Sequence, residues 1–131
     1  MQKRVLLIDN DPIFAERLRR VLGPGVSLTV VSVTDQVLDM CSAWAPDLIV
    51  LHVLLAPGDA FTMLDEICSR QKDARTAVLC LSRGPGSRTC LQRFGGAVFG
   101  ALKREIDTDE LRSTIADALG LTSGTLDPVA S

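Results

Sequence analysis

The sequence contains no apolar run approaching the roughly 20 residues that a membrane-spanning helix needs. Its opening stretch, MQKRVLLIDN, has a basic tip, but the apolar part is only Val5–Ile8. A secretory signal requires an apolar region of roughly 7–15 residues. The expected location is therefore the cytoplasm, with no membrane contact. The four cysteines, Cys41, Cys68, Cys80 and Cys90, form no CxxC pair and no zinc-type spacing. That argues against a structural zinc site and a dithiol redox motif, and the thiols read as buried and free. Neither GxGxxG nor a Walker-type phosphate loop is present. The glycine-rich stretch 82–88, SRGPGSR, leads into a predicted helix and reads as a flexible loop, with anion binding as the sharper alternative. Net charge is -2, so nothing marks a nucleic-acid surface in this chain. Repeats and low-complexity tracts are absent. Histidine is nearly absent too: His52 is the only one.

What is present fits one soluble domain. A chain of 131 residues is long enough to bury a core. Hydrophobic residues make up 47% and charged residues 23%, the latter spread along the chain. Five short apolar runs read as strands: Arg4–Asp9, Ser27–Val33, Asp47–Val53, Thr76–Ser82 and Ala97–Leu102. Three are nearly continuous in aliphatic residues, as in strands buried on both faces of a parallel sheet. The second, SLTVVSV, partly alternates and suits an edge.

Helical patterns lie between the runs. Residues 12–22 place Phe14, Leu18, Val21 and Leu22 on one stripe. Later stripes carry Val37, Leu38, Cys41 and Trp44, then Phe61, Leu64, Ile67 and Cys68. A short fourth helix runs from Ser87 through Phe94. The fifth carries Leu111, Ile115, Ala118 and Leu119. Candidate caps are Thr34 or Asp35, Asp59, Ser87, and Asp107 or Thr108. Gly23 and Gly120 stand where helices should stop. The expected fold is α/β and flavodoxin-like: a (βα)₅ doubly wound, five-stranded parallel sheet of order 2-1-3-4-5. The domain spans 1–120, and 121–131 reads as a flexible tail or the start of a linker.

Open α/β sheets bind ligands outside the carboxyl ends of their strands. Those ends carry Asp9, Asn10 and Asp11, then His52, Ser82 and Lys103. This layout resembles the receiver domain of two-component response regulators, over about residues 3–120. LLIDNDP resembles the family's acidic loop. PDLIVLHVLLAPGDA resembles its phosphorylation strand, CLSRG the strand ending in a Ser/Thr switch, and GALKREIDTDEL the segment with the pocket lysine.

The resemblance implies a role for each residue and exposes several departures. Asp9 matches the first acid of the family's magnesium pocket. Asn10 stands where the second acid belongs, and His52 where the phosphorylated aspartate belongs. Ser82 matches the hydroxyl and Lys103 the lysine that contact the phosphoryl group. Gly100 takes the place of the aromatic residue that swings on activation, and Arg104 the place of the usual proline.

Forming an acyl phosphate needs a carboxylate nucleophile and a cation to neutralise the transferring group. Mg²⁺ wants oxygen ligands, and two pocket carboxylates are missing. These departures imply a degenerate pseudo-receiver without the aspartyl-phosphate switch: not an enzyme, with no cofactor and no metal.

Three other roles for His52 stay open: phosphoryl acceptor, ligand of a transition metal with Asp9 or Asp11, and pH-sensitive strut. Lys103 and His52 are expected to share Asp9 as electrostatic partner. The expected function is a phosphorylation-independent interaction or dimerisation module. The resemblance puts its output face on the fourth helix, fifth strand and fifth helix, with Arg88, Gln92, Lys103, Arg104, Glu105 and Arg112. The partner is then a protein or a second copy. The alternative is a sensor binding a metabolite at the strand-end pocket.

Overall fold

The computed structural model describes residues 3–9, 11–31, 39, 44–52, 65–66, 69, 76–82, 99–103 and 105–121, with Ser82 in its backbone only. In chain order these give β1 (Lys3–Ile8), α1 (Pro12–Leu22), β2 (Val26–Val31), β3 (Leu48–His52), β4 (Ala77–Ser82), β5 (Gly100–Lys103) and α2 (Thr108–Ala118). The α2 helix is the fifth helix of the sequence pattern. The expected second, third and fourth helices lie mostly outside the described residues. Asp39, Trp44, Asp65, Glu66 and Ser69 are helical and fall inside the expected second and third.

All five strands are parallel, in the order β2-β1-β3-β4-β5. The expected topology is therefore the observed one. Successive side chains of a strand point to opposite faces. Val5 and Leu7, Leu48 and Val50, and Leu79 and Leu81 share one face, where they pack with Phe14, Leu18, Val21 and Leu22 of α1 and with Leu111 and Ile115 of α2. The alternate residues Leu6, Ile8, Ile49, Leu51 and Cys80 are buried as well. Burial on both faces explains why β1 and β3 read as unbroken apolar runs. Each fully buried leucine contributes on the order of 2 kcal/mol through area removed from water. By contrast, every residue of β2 is half-buried, as its alternation and edge position require.

Both helices end as their glycines suggest. Gly23 and Gly120 each have φ of 72°, a conformation costly for residues with a Cβ. After α2, Gly120 N–H donates to Asp117 O at 3.1 Å and Leu121 N–H to Ala116 O at 2.8 Å. This double closure normally adds an apolar contact from the residue after the glycine. Leu121 supplies it by packing on the core. The first residue of the expected tail thus packs with the domain, while 122–131 lie outside the described residues. On α2, Ala116 is buried and Ala118 only partly so. The stripe is therefore wider, and turned further, than the sequence pattern placed it.

At the opposite end of the sheet from the strand termini discussed below, Asp47 ties β1 to β3. Its Oδ2 accepts from Arg4 N–H at 2.9 Å, and its N–H donates to Arg4 O at 2.8 Å. The Arg4 guanidinium donates to Trp44 O at 2.7 Å and lies over the Trp44 ring at 6.0 Å. Between these residues, Ala45 takes φ of 50°. A left-handed conformation costs a residue with a Cβ about 1–2 kcal/mol, and glycine gives back about 0.5–1 kcal/mol in chain entropy. Ala45→Gly is accordingly expected to raise stability by about 0.5 kcal/mol, read as a higher urea midpoint at unchanged slope.

Candidate functional site

Parity and register bring the site together. Val5–Ile8 align with Leu48–Leu51, so the next pair across this ladder is Asp9 and His52. Both continue the alternation of Val5, Leu7, Leu48 and Val50, and so emerge on one face of adjacent central strands. Both are buried, at 5% and 4% exposure, and among the described residues they are the only buried polar or charged ones. The His52 Nδ1–H donates to Asp9 Oδ1 across 2.8 Å. The same Oδ1 accepts Asp11 N–H at 3.2 Å. Asp9 N–H in turn donates to Val31 O at 3.0 Å, continuing the β1–β2 ladder by one residue. One carboxylate oxygen thus joins the end of β3 to the turn between β1 and α1.

Asp11 does something else. Its backbone is extended (φ -96°, ψ 110°), and its Oδ1 accepts Ile13 N–H at 2.9 Å. It is the N-cap of α1, with Pro12 in the first turn. The dipeptide Asp11-Pro12 already carries that signal, because an acceptor side chain before a proline is a helix start. A cap loss costs about 1 kcal/mol. Asp11→Ala is expected to lower stability by that amount, and Asp11→Ser to retain most of it, in parallel urea titrations.

Ser82 and Lys103 are register partners at the ends of β4 and β5, and His52 is the partner of Leu81. Topology therefore lines up Asp9, His52, Ser82 and Lys103 along the carboxyl edge. Lys103 is exposed, however, and among the described residues no ion pair joins it to Asp9. The expected sharing of Asp9 is not what the structure has. The reason is strand order: β3 and β4 stand between β1 and β5, and His52 on the adjacent strand reaches the carboxylate first. Gly100 opens β5, and a Cβ there would meet only Leu79 Cδ2, at 3.6 Å. Space is therefore not what dictates a glycine. Of the expected output face, Lys103 and Glu105 are exposed and Arg112 is half-buried, with its guanidinium on Asp109 Oδ1 at 3.0 Å. Asn10, Arg88, Gln92 and Arg104 lie outside the described residues. Of the four cysteines, Cys80 is described, and it is buried and in no disulfide.

Sequence reasoning gave no sign of an open groove of about 540 Å³ between α1 and β2. Asp9, Asp11, Pro12, Ala15, Glu16, Arg19, Val30 and Val31 line it. No three-residue cluster of metal-ligating type occurs among the described residues. None of the described helices is long and apolar enough to cross a membrane.

No protein-family model and no curated protein matches the chain. Solved structures do. The chain is similar to the signal receiver domain of an HD domain-containing protein from Pseudomonas fluorescens Pf-5, with a TM-score of 0.76, 22% identity, and coverage of 92% of this chain and 96% of that one. It is similar to the receiver domain of nitrogen regulatory protein C, with a TM-score of 0.79, 21% identity, and coverage of 92% and 97%. A third likeness is to the signal receiver domain of a putative Luxo repressor protein from Vibrio parahaemolyticus, with a TM-score of 0.76, 21% identity, and coverage of 92% in both chains. At these identities the shared property is the fold: a flavodoxin-like, five-stranded parallel sheet of receiver type.

Proposed function

We propose that this chain is a cytoplasmic receiver-type signalling module that has given up the aspartyl-phosphate switch and acts by protein–protein interaction alone. The observation that carries this reading is the buried 2.8 Å hydrogen bond between His52 Nδ1 and Asp9 Oδ1. At the position of the acceptor carboxylate stands an imidazole, and it holds the one acid left in the pocket. Asp9 Oδ1 also receives Asp11 N–H, while Asp11 is engaged as a helix cap. A hard divalent cation needs several oxygen ligands. This donor set, a nitrogen base and a single carboxylate whose Oδ1 already carries two hydrogen bonds, falls short of the several oxygens that Mg²⁺ takes. No acyl phosphate can form on an imidazole. The site is then structural, and the chain is not an enzyme.

The partner-facing surface in this reading is the side of β5 and α2. Lys103 and Glu105 offer charges of both signs there, suited to a protein partner whose choice is set by charge pattern.

The test is incubation with an acyl phosphate and Mg²⁺, followed by intact-mass measurement and a thermal scan. The expected result is no phosphoryl adduct and no shift in unfolding temperature on adding Mg²⁺. A magnesium-dependent adduct, or a phosphoramidate on His52, would overturn the reading.

A further inference from the structure

We propose that Arg17 is a latch. It fastens the corner between β5 and α2 to α1, and the corner opens as one unit, without the sheet, when that contact is broken.

Helix geometry sends Arg17 to the corner. Successive residues turn by about 100° around a helix. On α1, Phe14, Leu18 and Val21 face the core, and Ala15 and Arg19 line the groove toward β2. Arg17 falls on the opposite flank, beyond Val21. There its guanidinium donates through Nη2 to Ile106 O. Arg17 is half-buried, and a guanidinium can only donate, so an acceptor is what this position requires.

The carbonyl of Ile106 belongs to neither neighbouring element. The α2 helix starts at Thr108 with Asp107 as N-cap, and Asp107 O accepts the first helical bond, from Leu111 N–H at 2.8 Å. Ile106 stands one residue too early to join. On its other side, Ile106 N–H donates to Lys103 O at 3.1 Å and closes the turn after β5. A part-buried carbonyl between a turn and a helix needs a donor from elsewhere, and α1 supplies it.

Other fastenings at the entry of α2 are few. An N-cap carboxylate ordinarily accepts an N–H of the first turn, but Asp107 makes no such bond. Ile106 and Leu111 occupy the two positions that staple a helix start, and Ile106 packs on the apolar cluster that holds Leu111. Apolar burial is non-directional, whereas a hydrogen bond fixes orientation. Arg17 therefore sets how the peptide after Ile106 is turned. The post it works from is firm: Asp11 caps α1, and Phe14, Leu18, Val21 and Leu22 are buried. Lys103 and Glu105 stand on the corner, both exposed. With the partner-facing surface on β5 and α2, the latch holds these two charges in one arrangement; this consequence alone rests on that reading.

Amide hydrogen exchange on the full chain, followed by NMR at low urea concentrations, tests the latch. In wild type the amides of Ile106 and Leu111 are expected to share one opening. It should be less protected than that of the core amides of Leu6 and Leu51, and less dependent on urea, because little surface is exposed. Arg17→Met keeps a long stem and a good helix former but removes the donors. It should speed both corner amides by the same factor, about tenfold or more, the scale of a lost hydrogen bond to a charged group. Arg17→Lys retains a cationic donor and should recover part of the protection. Corner amides that exchange only with the core, at its rate and with its urea dependence, overturn the proposal. So do corner amides that Arg17→Met leaves unchanged or shifts unequally, and an Arg17→Lys variant that exchanges as fast as Arg17→Met. None of these rates depends on whether a phosphoryl group is taken up, so the latch and the signalling reading fail separately.

Discussion

His52→Ala is expected to destabilise the domain by about 3 kcal/mol. The imidazole is 4% exposed and its hydrogen bond to Asp9 is 2.8 Å long. Truncation removes a donor from a buried carboxylate and leaves a void in a close-packed layer. Breaking a buried pair on one side costs about 3–5 kcal/mol, because the remaining group keeps its desolvation penalty without its partner. Asp9→Ala should cost a similar amount. It also frees Asp11 N–H and loosens the turn into α1. The two effects share one interaction, so they should not add. In a double-mutant cycle read by urea unfolding, the double variant is expected to be little worse than either single one. Additive losses would mean that the hydrogen bond contributes nothing beyond packing. Asp9→Asn is the milder control, since its amide oxygen still accepts from His52 Nδ1.

His52→Asp is expected to produce the second large effect, and its sign should depend on Mg²⁺. In the register of β1 and β3 the new carboxylate would sit directly beside Asp9, on the same face and equally buried. Two adjacent buried carboxylates repel. Without a divalent cation the variant should lose stability on the scale of a broken buried pair, about 3 kcal/mol. Two carboxylates from neighbouring strands, together with several waters, also make a set that Mg²⁺ accepts. The cation should therefore restore stability, by about 2.7 kcal/mol at a hundredfold excess over its dissociation constant. Wild type should show no such dependence in the same thermal scan.

With Mg²⁺ and an acyl phosphate, His52→Asp should label slowly, and His52→Asp with Asn10→Asp should label faster. Neither is expected to change partner affinity or association state. Gly100 has no side chain to move in response to Ser82, although the space for a Cβ exists there. A two-state element must be biased by both sites to transmit a signal. A large donor-dependent shift in association would show that the output runs through residues other than Gly100.

The strands were legible because burial on both faces leaves an unbroken apolar run, and the helix ends because Gly23 and Gly120 are positions where only glycine sits without strain. The strand-end positions followed from topology, since parallel strands put all their carboxyl termini on one edge. Less legible were the roles within that edge. The sequence placed Asp9, Asn10 and Asp11 in one acidic loop, yet Asp11 turns to cap α1 because Pro12 follows it.

By itself, then, the sequence determined the fold class and the strand order, and it put an amide at Asn10 and an imidazole at His52. These depend on local pattern, on handedness rules and on residue identity. Tertiary structure alone decided which group takes Asp9. His52 and Lys103 are equally plausible partners along the chain, but a hydrogen bond needs atoms about 2.8 Å apart, and only the neighbouring strand can place an imidazole there.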